Sequence, residues 1–344
     1  MRLLIVLVVL CFLPVSASGA ELIAPEVPGS ASDIMTDSGD FVEGLRQLLE
    51  NILPKLRPDL LEAYKVSLGI LAAVLMISMI QSCSGSVSTT ANFAGCITVS
   101  ALLLFNTASL IRLASGTVLE MSEYGKLLLP VMTAAMAAQG GITGSAALYS
   151  GTSIFNGLLT SLVSGIFVPL VYLFLALSAG NCAVGGDILK RMRDMLKGFI
   201  SWSLKTVLTV FTTYMTITGV VSGTTDAAAL KAAKVTISTV VPVVGGILSD
   251  ASEAVLVSAG LAKNAAGIYG ILAILAVFLR PFLQIGVHYL VLKVTTSICA
   301  IFGTKSMTEL IGDFSTAMGL LLAMTGSSSL LLLISTVCFL KGVG

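Results

Sequence analysis

The stretch LLLPVMTAAMAAQGGITGSAALY, residues 127–149, carries no charge, yet it contains a proline and three closely spaced glycines. A transmembrane helix needs about 20 predominantly apolar residues, and this stretch is long enough. Gln139, Gly140 and Gly141 interrupt it, and non-helical backbone at membrane depth is tolerated only where protein or a water-filled cavity surrounds it. The pattern therefore predicts a broken helix that is surrounded by other helices.

The whole chain has the composition of a polytopic membrane protein. Of its 344 residues, 56% are hydrophobic and 11% are charged, whereas about 25% of the residues of a soluble domain are charged. No run alternates with the period of a barrel strand. The predicted fold class is therefore all-α, a helical membrane protein with about seven or eight spanning helices, re-entrant or broken segments and amphipathic interfacial helices.

Nine apolar runs are candidates for these helices. They cover residues 66–83, 93–111, 127–148, 154–179, 199–221, 232–248, 265–279, 282–302 and 316–340. If every run crossed and residue 21 lay outside, the basic segment around Arg191 would also lie outside, against the bias of basic loops towards the cytoplasm. The conflict is removed if the third run, residues 127–148, enters and leaves the membrane on the same side. Arg280-Pro281 is expected to mark a tight turn or a kink.

The beginning of the chain has the pattern of a secretory signal peptide. In residues 1–20, Arg2 precedes an apolar run, Pro14 ends that run, and small residues follow up to Ala20. A cleaved signal peptide places the next residues outside the cytoplasm. An uncleaved first anchor is the alternative interpretation.

Residues 21–65 form a predicted acidic leader outside the cytoplasm. A capping pattern at Asp40 starts a short amphipathic helix there, and Pro54 and Pro58 are expected to end it because proline removes a helical hydrogen-bond donor. The multipass membrane domain is predicted for residues 66–344.

A basic amphipathic helix is predicted near the middle of the chain. Its cations are Lys190, Arg191, Arg193 and Lys197. Apolar side chains recur at helical spacing on the opposite face, at Ile188, Leu189, Met192, Met195, Leu196 and Phe199. This pattern favours a cytoplasmic helix that lies along an anionic inner leaflet or a partner. A solvated loop that only fixes orientation is the alternative.

A second apolar run is interrupted at Pro242 and is followed by the carboxylates Asp250 and Glu253. Because a lipid-facing Asp at mid-membrane costs about 2.5 to 3.5 kcal/mol, these carboxylates are expected near a surface or an aqueous vestibule. Two Gly/Pro-broken segments are typical of a translocation or binding site. The predicted gate or partner-docking residues are Asp226, Pro242, Gly245, Gly246, Asp250, Glu253, Gly140 and Gly141. Ordinary helix capping and a coupling-ion site are the alternatives.

Catalytic chemistry is not predicted. The sequence contains no GxSxG, HExxH, CxxC or P-loop pattern, and no cofactor, metal site or nucleic-acid partner is expected. His288 is interpreted as a hydrogen-bonded packing residue, with a proton or ligand role as the alternative. The scattered cysteines indicate no disulfide framework and are interpreted as small packing residues. They are Cys83, Cys96, Cys182, Cys299 and Cys338.

The segment SGTTDAAALKAAKVTISTVVPVVGGILSDASEAVL, residues 222–256, resembles the stage III sporulation protein AE family of endospore-forming bacteria. Residues 129–148 and 263–303 are also similar to that family, in the same order. The resemblance extends over most of the chain from about residue 66. Two motifs are distinctive in combination: Thr225-Asp226 followed by Lys231, and PVVGG (residues 242–246) followed by Asp250.

The resemblance implies a multipass protein of the mother-cell membrane that surrounds the engulfed forespore. It also implies an assembly with other membrane proteins of one operon and with a forespore membrane partner, in a channel-like or secretion-like complex. No catalytic residues follow from it. The leading hypothesis is a non-enzymatic export-gate or scaffold subunit, with the lipid bilayer, these proteins and a second copy of the chain as partners. An ion-coupled small-solute transporter is the alternative.

Overall fold

The computed structural model describes residues 25, 27–29, 41–83, 88–240 and 245–341, without the side chains of residues 83, 88–89 and 219–263. The predicted signal peptide lies outside these residues. All regular secondary structure in the described part is helical, which confirms the predicted class. The elements are α1 (Phe41–Cys83), α2 (Ser88–Ala138), α3 (Ile142–Leu162), a π-helical turn (Val163–Phe167), α4 (Val168–Val184), α5 (Asp187–Val240), α6 (Gly245–Phe302) and α7 (Lys305–Lys341).

The described helices form six rods that alternate in direction. Helix α3, the π-helical turn and α4 are continuous and count as one rod. Residues 139–141 join α2 to α3 at what we call the glycine end, and a disulfide joins Cys96 of α2 to Cys182 of α4 at the opposite, disulfide end. Thr304, between α6 and α7, donates a hydrogen bond of 3.1 Å to Asn92 of α2 at the disulfide end.

These rods are much longer than a bilayer is thick. They range from 37 residues in α7 to 58 in α6, which at 1.5 Å per residue is roughly 55 to 87 Å, against about 30 Å for the hydrocarbon core. In the described part, five helical stretches are long and apolar enough to cross a membrane. They are Phe41–Ser82, Thr90–Ala138, Ile142–Val184, Asn264–Phe302 and Lys305–Lys341.

This number does not test the seven or eight predicted spans, because runs 199–221 and 232–248 extend into residues whose side chains are not described. Some predicted runs do share one helix. Runs 265–279 and 282–302 both lie in α6, so a tight turn at Arg280-Pro281 is wrong. The prediction that Pro54 and Pro58 end a helix is also wrong, because α1 continues through both. Burial of apolar residues on either side of them, such as the fully buried Ile52, fixes α1 on the bundle and outweighs the lost hydrogen bonds.

Helix α7 occupies the centre of the bundle. It packs against α2, α3, α4, α5 and α6, and much of its apolar length is buried. Small polar residues let its neighbours approach closely, as is typical of membrane helices. The hydroxyl of Thr325 donates a hydrogen bond of 3.0 Å to the carbonyl of Leu321, and that of Thr336 donates one of 2.8 Å to the carbonyl of Leu332. The centre of the described bundle is therefore filled by a helix.

Candidate functional site

Gly140 and Gly141 form the turn at the glycine end. Gly140 has φ 94°, a left-handed conformation that glycine adopts without steric cost. Its N–H donates to the carbonyl of Ala137 at 2.9 Å, and the N–H of Gly141 donates to that of Met136 at 3.2 Å, so two carbonyls in the last turn of α2 are satisfied. The predicted break at these glycines is confirmed. Its role in a gate stays a prediction.

The arms of this hairpin extend far beyond the predicted re-entrant segment. Helix α2 and the α3–α4 rod run antiparallel from the turn at Gly140 to the disulfide between Cys96 and Cys182. This length corresponds to about 40 residues in each arm, or roughly 60 Å. The glycine break therefore marks one end of a long hairpin.

The disulfide contradicts the interpretation of these two cysteines as mere packing residues. Cys96 and Cys182 are buried and separated by 86 residues, and their Cα atoms are 5.7 Å apart. The pairing depends on the antiparallel register of two long helices, which the cysteine spacing alone does not reveal. Cys299 and Cys338 are free.

A cluster of ion pairs joins α5 to α7 near the disulfide end. Lys190 contacts Glu309 at 3.5 Å, and both side chains are partly exposed. Arg193 binds Asp313, and it also contacts Asp194 at 3.3 Å. The side chain of Arg193 is 6% exposed and that of Asp313 is 14% exposed. We call these five residues the ion-pair cluster; its buried centre is the Arg193–Asp313 pair.

The burial of Arg193 corrects the prediction of a basic helix with four surface cations. Arg191 and Lys197 are exposed, but Arg193 points into the bundle because α5 packs on α7, where the buried carboxylate of Asp313 needs a cation. Apolar residues of the same segment are exposed, including Met195 at 65%. That surface suits lipid or a partner, and the predicted interfacial position is not tested.

The sequence did not indicate Asp313 as a site residue, although its carboxylate is the buried partner of Arg193. The sequence does contain a signal, because Glu309 and Asp313 lie four residues apart on one face of a helix that carries no other charge between its terminal lysines. Two carboxylates in that position require cationic partners, and buried ionic residues in membrane helices are functional-site candidates.

A model of the family "Stage III sporulation protein AE" matches residues 31–342. The chain belongs to this family. A relative from Bacillus subtilis (strain 168), named Stage III sporulation protein AE, is 26% identical over 179 residues. That match covers 51% of this chain and 44% of the relative, less than half of the relative's length. No solved structure matches the chain. The protein is thus a membrane protein of a sporulation family, which is not a known enzyme family.

Most of the other predicted gate residues of this sporulation protein lie where side chains are not described. Pro242 is outside the described residues. The backbone is helical in α5 and α6 at the remaining five positions, which are Asp226, Gly245, Gly246, Asp250 and Glu253. Helix α5 runs towards the glycine end, and α6 enters the described bundle from it. A gate formed by these residues together with Gly140 and Gly141 remains a prediction.

His288 lies inside the bundle of this family member, between α6, α1 and α2. It is 4% exposed, and its Nδ1 lies 3.0 Å from the carbonyl of Gln284. The predicted packing position and hydrogen bond are confirmed, and the alternative proton or ligand role is not tested. Its Nε2 has no hydrogen-bond partner among the described residues and lies beside a cavity of about 10 Å³ lined by Asn106 and Thr107. A cavity of that size is close to the minimum for one water molecule.

Proposed function

We propose that this protein is a non-enzymatic subunit of a channel or secretion-like complex between mother cell and forespore. It lies in the mother-cell membrane around the forespore and acts as an export-gate or scaffold component. Its partners are other membrane proteins of the same sporulation operon and a forespore membrane protein. Membership of the sporulation family supports a role in sporulation. The long exposed apolar surface of the bundle supports a role as one subunit of a complex.

The observation that carries the proposal is the uncharged α3–α4 rod, Ile142–Val184. Its 43 residues include no charged side chain and correspond to roughly 65 Å, about twice the hydrocarbon thickness. Apolar side chains are exposed along its length: Ile142 is 69% exposed, Ile154 67% and Val184 80%. One bilayer covers about half of such a surface, and large exposed apolar surfaces mark protein interfaces. A partner protein is needed to cover the rest.

The central position of α7 supports a passage that several subunits share. Its fully buried residues include Phe314, Leu321 and Leu331, and it is enclosed by neighbouring helices. A helix along the axis leaves no space for a wide conduit through the described bundle. In this proposal the conduit lies between this chain and its partners, and the break at Gly140 and the break predicted at Pro242 line or close it.

The alternation of the six rods supports an orientation for the subunit. Phe41 begins α1 at the glycine end, and Arg191 lies at the opposite end. If a cleaved signal peptide leaves residue 21 outside, the disulfide end with its exposed cations faces the cytoplasm, as the bias of basic loops favours. A re-entrant third segment is then unnecessary. The disulfide itself favours the opposite orientation, because the cytoplasm keeps thiols reduced.

The proposal predicts that charges on the apolar rod disrupt assembly without unfolding the chain. We expect Ile142→Glu at the start of α3, or Val184→Lys at the end of α4, to remove the protein from its complex, because a charge then lies on the apolar surface that a partner covers. The helices should stay folded, since each charge suits the helix dipole at its end of the rod. The measurement is co-purification of the other operon products from sporulating cells, together with the number of heat-resistant spores.

Glu50→Gln, an exposed position on α1, is the control and should assemble normally. Normal complexes and spore numbers with both rod variants would contradict the proposal.

A cavity at mid-length favours the second candidate, an ion-coupled small-solute transporter. It has a volume of 370 Å³ between α2 and α6, and its polar lining includes Arg112, Glu120, Arg280 and Gln284. Two guanidinium groups suit an anionic solute. Uptake of an organic anion into liposomes that contain only the purified chain, driven by an ion gradient and lost in Arg280→Gln, would favour this candidate. The subunit proposal expects no uptake.

A further inference from the structure

A groove with a volume of 1040 Å³ lies on the outside of the bundle, between α1 and α2. Its walls are mainly apolar and include Gly69, Ala101 and Phe105, whose side chain is 89% exposed. At one end of the groove are the ionisable residues, Glu62 and Lys65 of α1 and Arg112 of α2. The groove is therefore apolar along most of its length and charged at one end.

The helices that form this groove have charge-free segments of bilayer length. Helix α1 has no charged residue in residues 66–83, and α2 has none in residues 88–111. These segments correspond to about 27 and 36 Å, close to the hydrocarbon thickness of about 30 Å. Lys65 and Arg112 follow at the same edge of both segments. The groove thus has an apolar part beside these charge-free segments and a charged part where they end.

We propose that this groove binds an anionic phospholipid. One acyl chain lies against Gly69, Ala101 and Phe105, and the phosphate lies between Lys65 and Arg112. No ion pair involves either cation in the described part of the chain, so both are available to the phosphate. Glu62 reduces the charge at this end of the groove to a net +1, which still complements an anion.

The charged end decides between a lipid and a helix of another protein chain. A partner helix would fill the apolar walls, but it would leave two cations without counter-charges at the edge of the membrane. A phospholipid has the required order of groups, with an anion at the interface and a chain of CH₂ groups below it. Lysine and arginine bind phosphate groups through charge-assisted hydrogen bonds.

Tryptophan fluorescence can test the site because the chain contains one tryptophan, Trp202 on α5. In the full chain with Trp202→Phe, Phe105→Trp places a reporter in the groove. The matched control is Ile154→Trp in the same background, on the uncharged rod and 67% exposed. Each protein is reconstituted in vesicles in which either phosphatidylglycerol or phosphatidylcholine carries brominated chains, and quenching gives the relative affinity for the two lipids.

We expect brominated phosphatidylglycerol to be favoured about fivefold over phosphatidylcholine at position 105 and about equally at position 154, a ratio that corresponds to one basic contact. Lys65→Gln with Arg112→Gln should abolish the preference at position 105. Gly69→Phe should reduce quenching there by both lipids, because an added Cβ at Gly69 meets open space and the side chain can fill the groove without a clash.

Gly157→Phe is the control for this bulky substitution, since its surroundings are also open and it lies on α3. Equal lipid preference at positions 105 and 154 would overturn the proposal. Weak quenching at position 105 by both lipids would indicate a protein occupant, such as a second copy of the chain, and would also overturn it. Assembly with sporulation proteins is not measured, so either outcome leaves the proposed function untouched.

Discussion

At the scale of single residues, burial separates two ion pairs that look alike in the sequence. Lys190–Glu309 and Arg193–Asp313 both join α5 to α7, with similar spacing in each helix. The first pair is partly exposed, and such pairs typically contribute about 0 to 1 kcal/mol. The second is buried, so loss of one partner leaves an uncompensated charge in the bundle. The two pairs should therefore respond very differently to mutation.

We expect Arg193→Gln to destabilise the purified protein by about 3 to 5 kcal/mol, because the carboxylate of Asp313 loses its counter-charge. Arg191→Gln, on the exposed face of the same helix, and Lys190→Gln should each change stability by less than about 1 kcal/mol. The measurement is denaturant-induced unfolding in detergent, followed by the fluorescence of Trp202.

The double variant Arg193→Met with Asp313→Leu should recover most of the loss, since an apolar pair replaces a buried ionic pair at little cost. Equal stabilities of Arg193→Gln and Arg191→Gln would show that the Arg193–Asp313 pair does not contribute. This difference could not be predicted from the sequence. The spacing of Lys190, Arg191 and Arg193 defines a basic helix, but the partner that buries one of them is 120 residues away.

At the scale of helices, close packing of α3 on α5 depends on Gly151. A Cβ added there would lie 2.0 Å from Cε1 of Tyr214, whose hydroxyl donates to the carbonyl of Ala147 at 3.0 Å. The ring is held by this bond and by its contact with Phe155, so it cannot move aside freely. Gly157, on the same helix, has open space at the corresponding position.

Gly151→Ala should therefore destabilise the protein by about 1 to 3 kcal/mol, because overpacking forces α3 and α5 apart. Gly157→Ala should stabilise it by about 0.5 to 1 kcal/mol, since alanine is the better helix former and nothing opposes its methyl group. Thermal unfolding of both variants in detergent provides the comparison. If Gly151→Ala were as stable as Gly157→Ala, the close contact between α3 and α5 would be wrong.

Helix ends were predictable only where the backbone itself requires a particular residue. The turn at Gly140 needs a left-handed conformation, and a glycine pair after a long apolar run indicates it. Pro54 and Pro281 carry an equally clear local signal, but packing keeps their helices continuous. The Cys96–Cys182 link depends on the register between helices, which local sequence does not encode.

At the scale of the whole molecule, composition was sufficient for the class of fold but not for its topology. Apolar runs of bilayer length predict membrane helices, and they do not indicate whether two neighbouring runs are separate spans or parts of one long rod. The run at 282–302 is preceded by Arg280-Pro281, which resembles a helix end, yet α6 is continuous there. Runs counted as separate spans predict a re-entrant segment, which six alternating rods in the described part make unnecessary.

The alternating rods make a prediction about the two faces of the membrane. Val42 at the start of α1 and Ile188 at the start of α5 lie at opposite ends of the bundle and are similarly exposed, at 70% and 75%. In a background with all native cysteines replaced by serine, Val42→Cys should react with a membrane-impermeant maleimide added outside the cell. Ile188→Cys should react only after permeabilisation, because the basic residues beside it favour the cytoplasm.

Position 341 is the internal control, since Lys341 is exposed at the end of α7, on the same side as Val42. Lys341→Cys should therefore be labelled together with Val42→Cys. Labelling of positions 42 and 188 from the same side would contradict the alternating arrangement. Labelling of position 188 alone from outside would preserve that arrangement and reverse the orientation, so the cations near Arg191 would face away from the cytoplasm. The experiment thus separates the direction of the rods from the orientation of the whole bundle in the membrane.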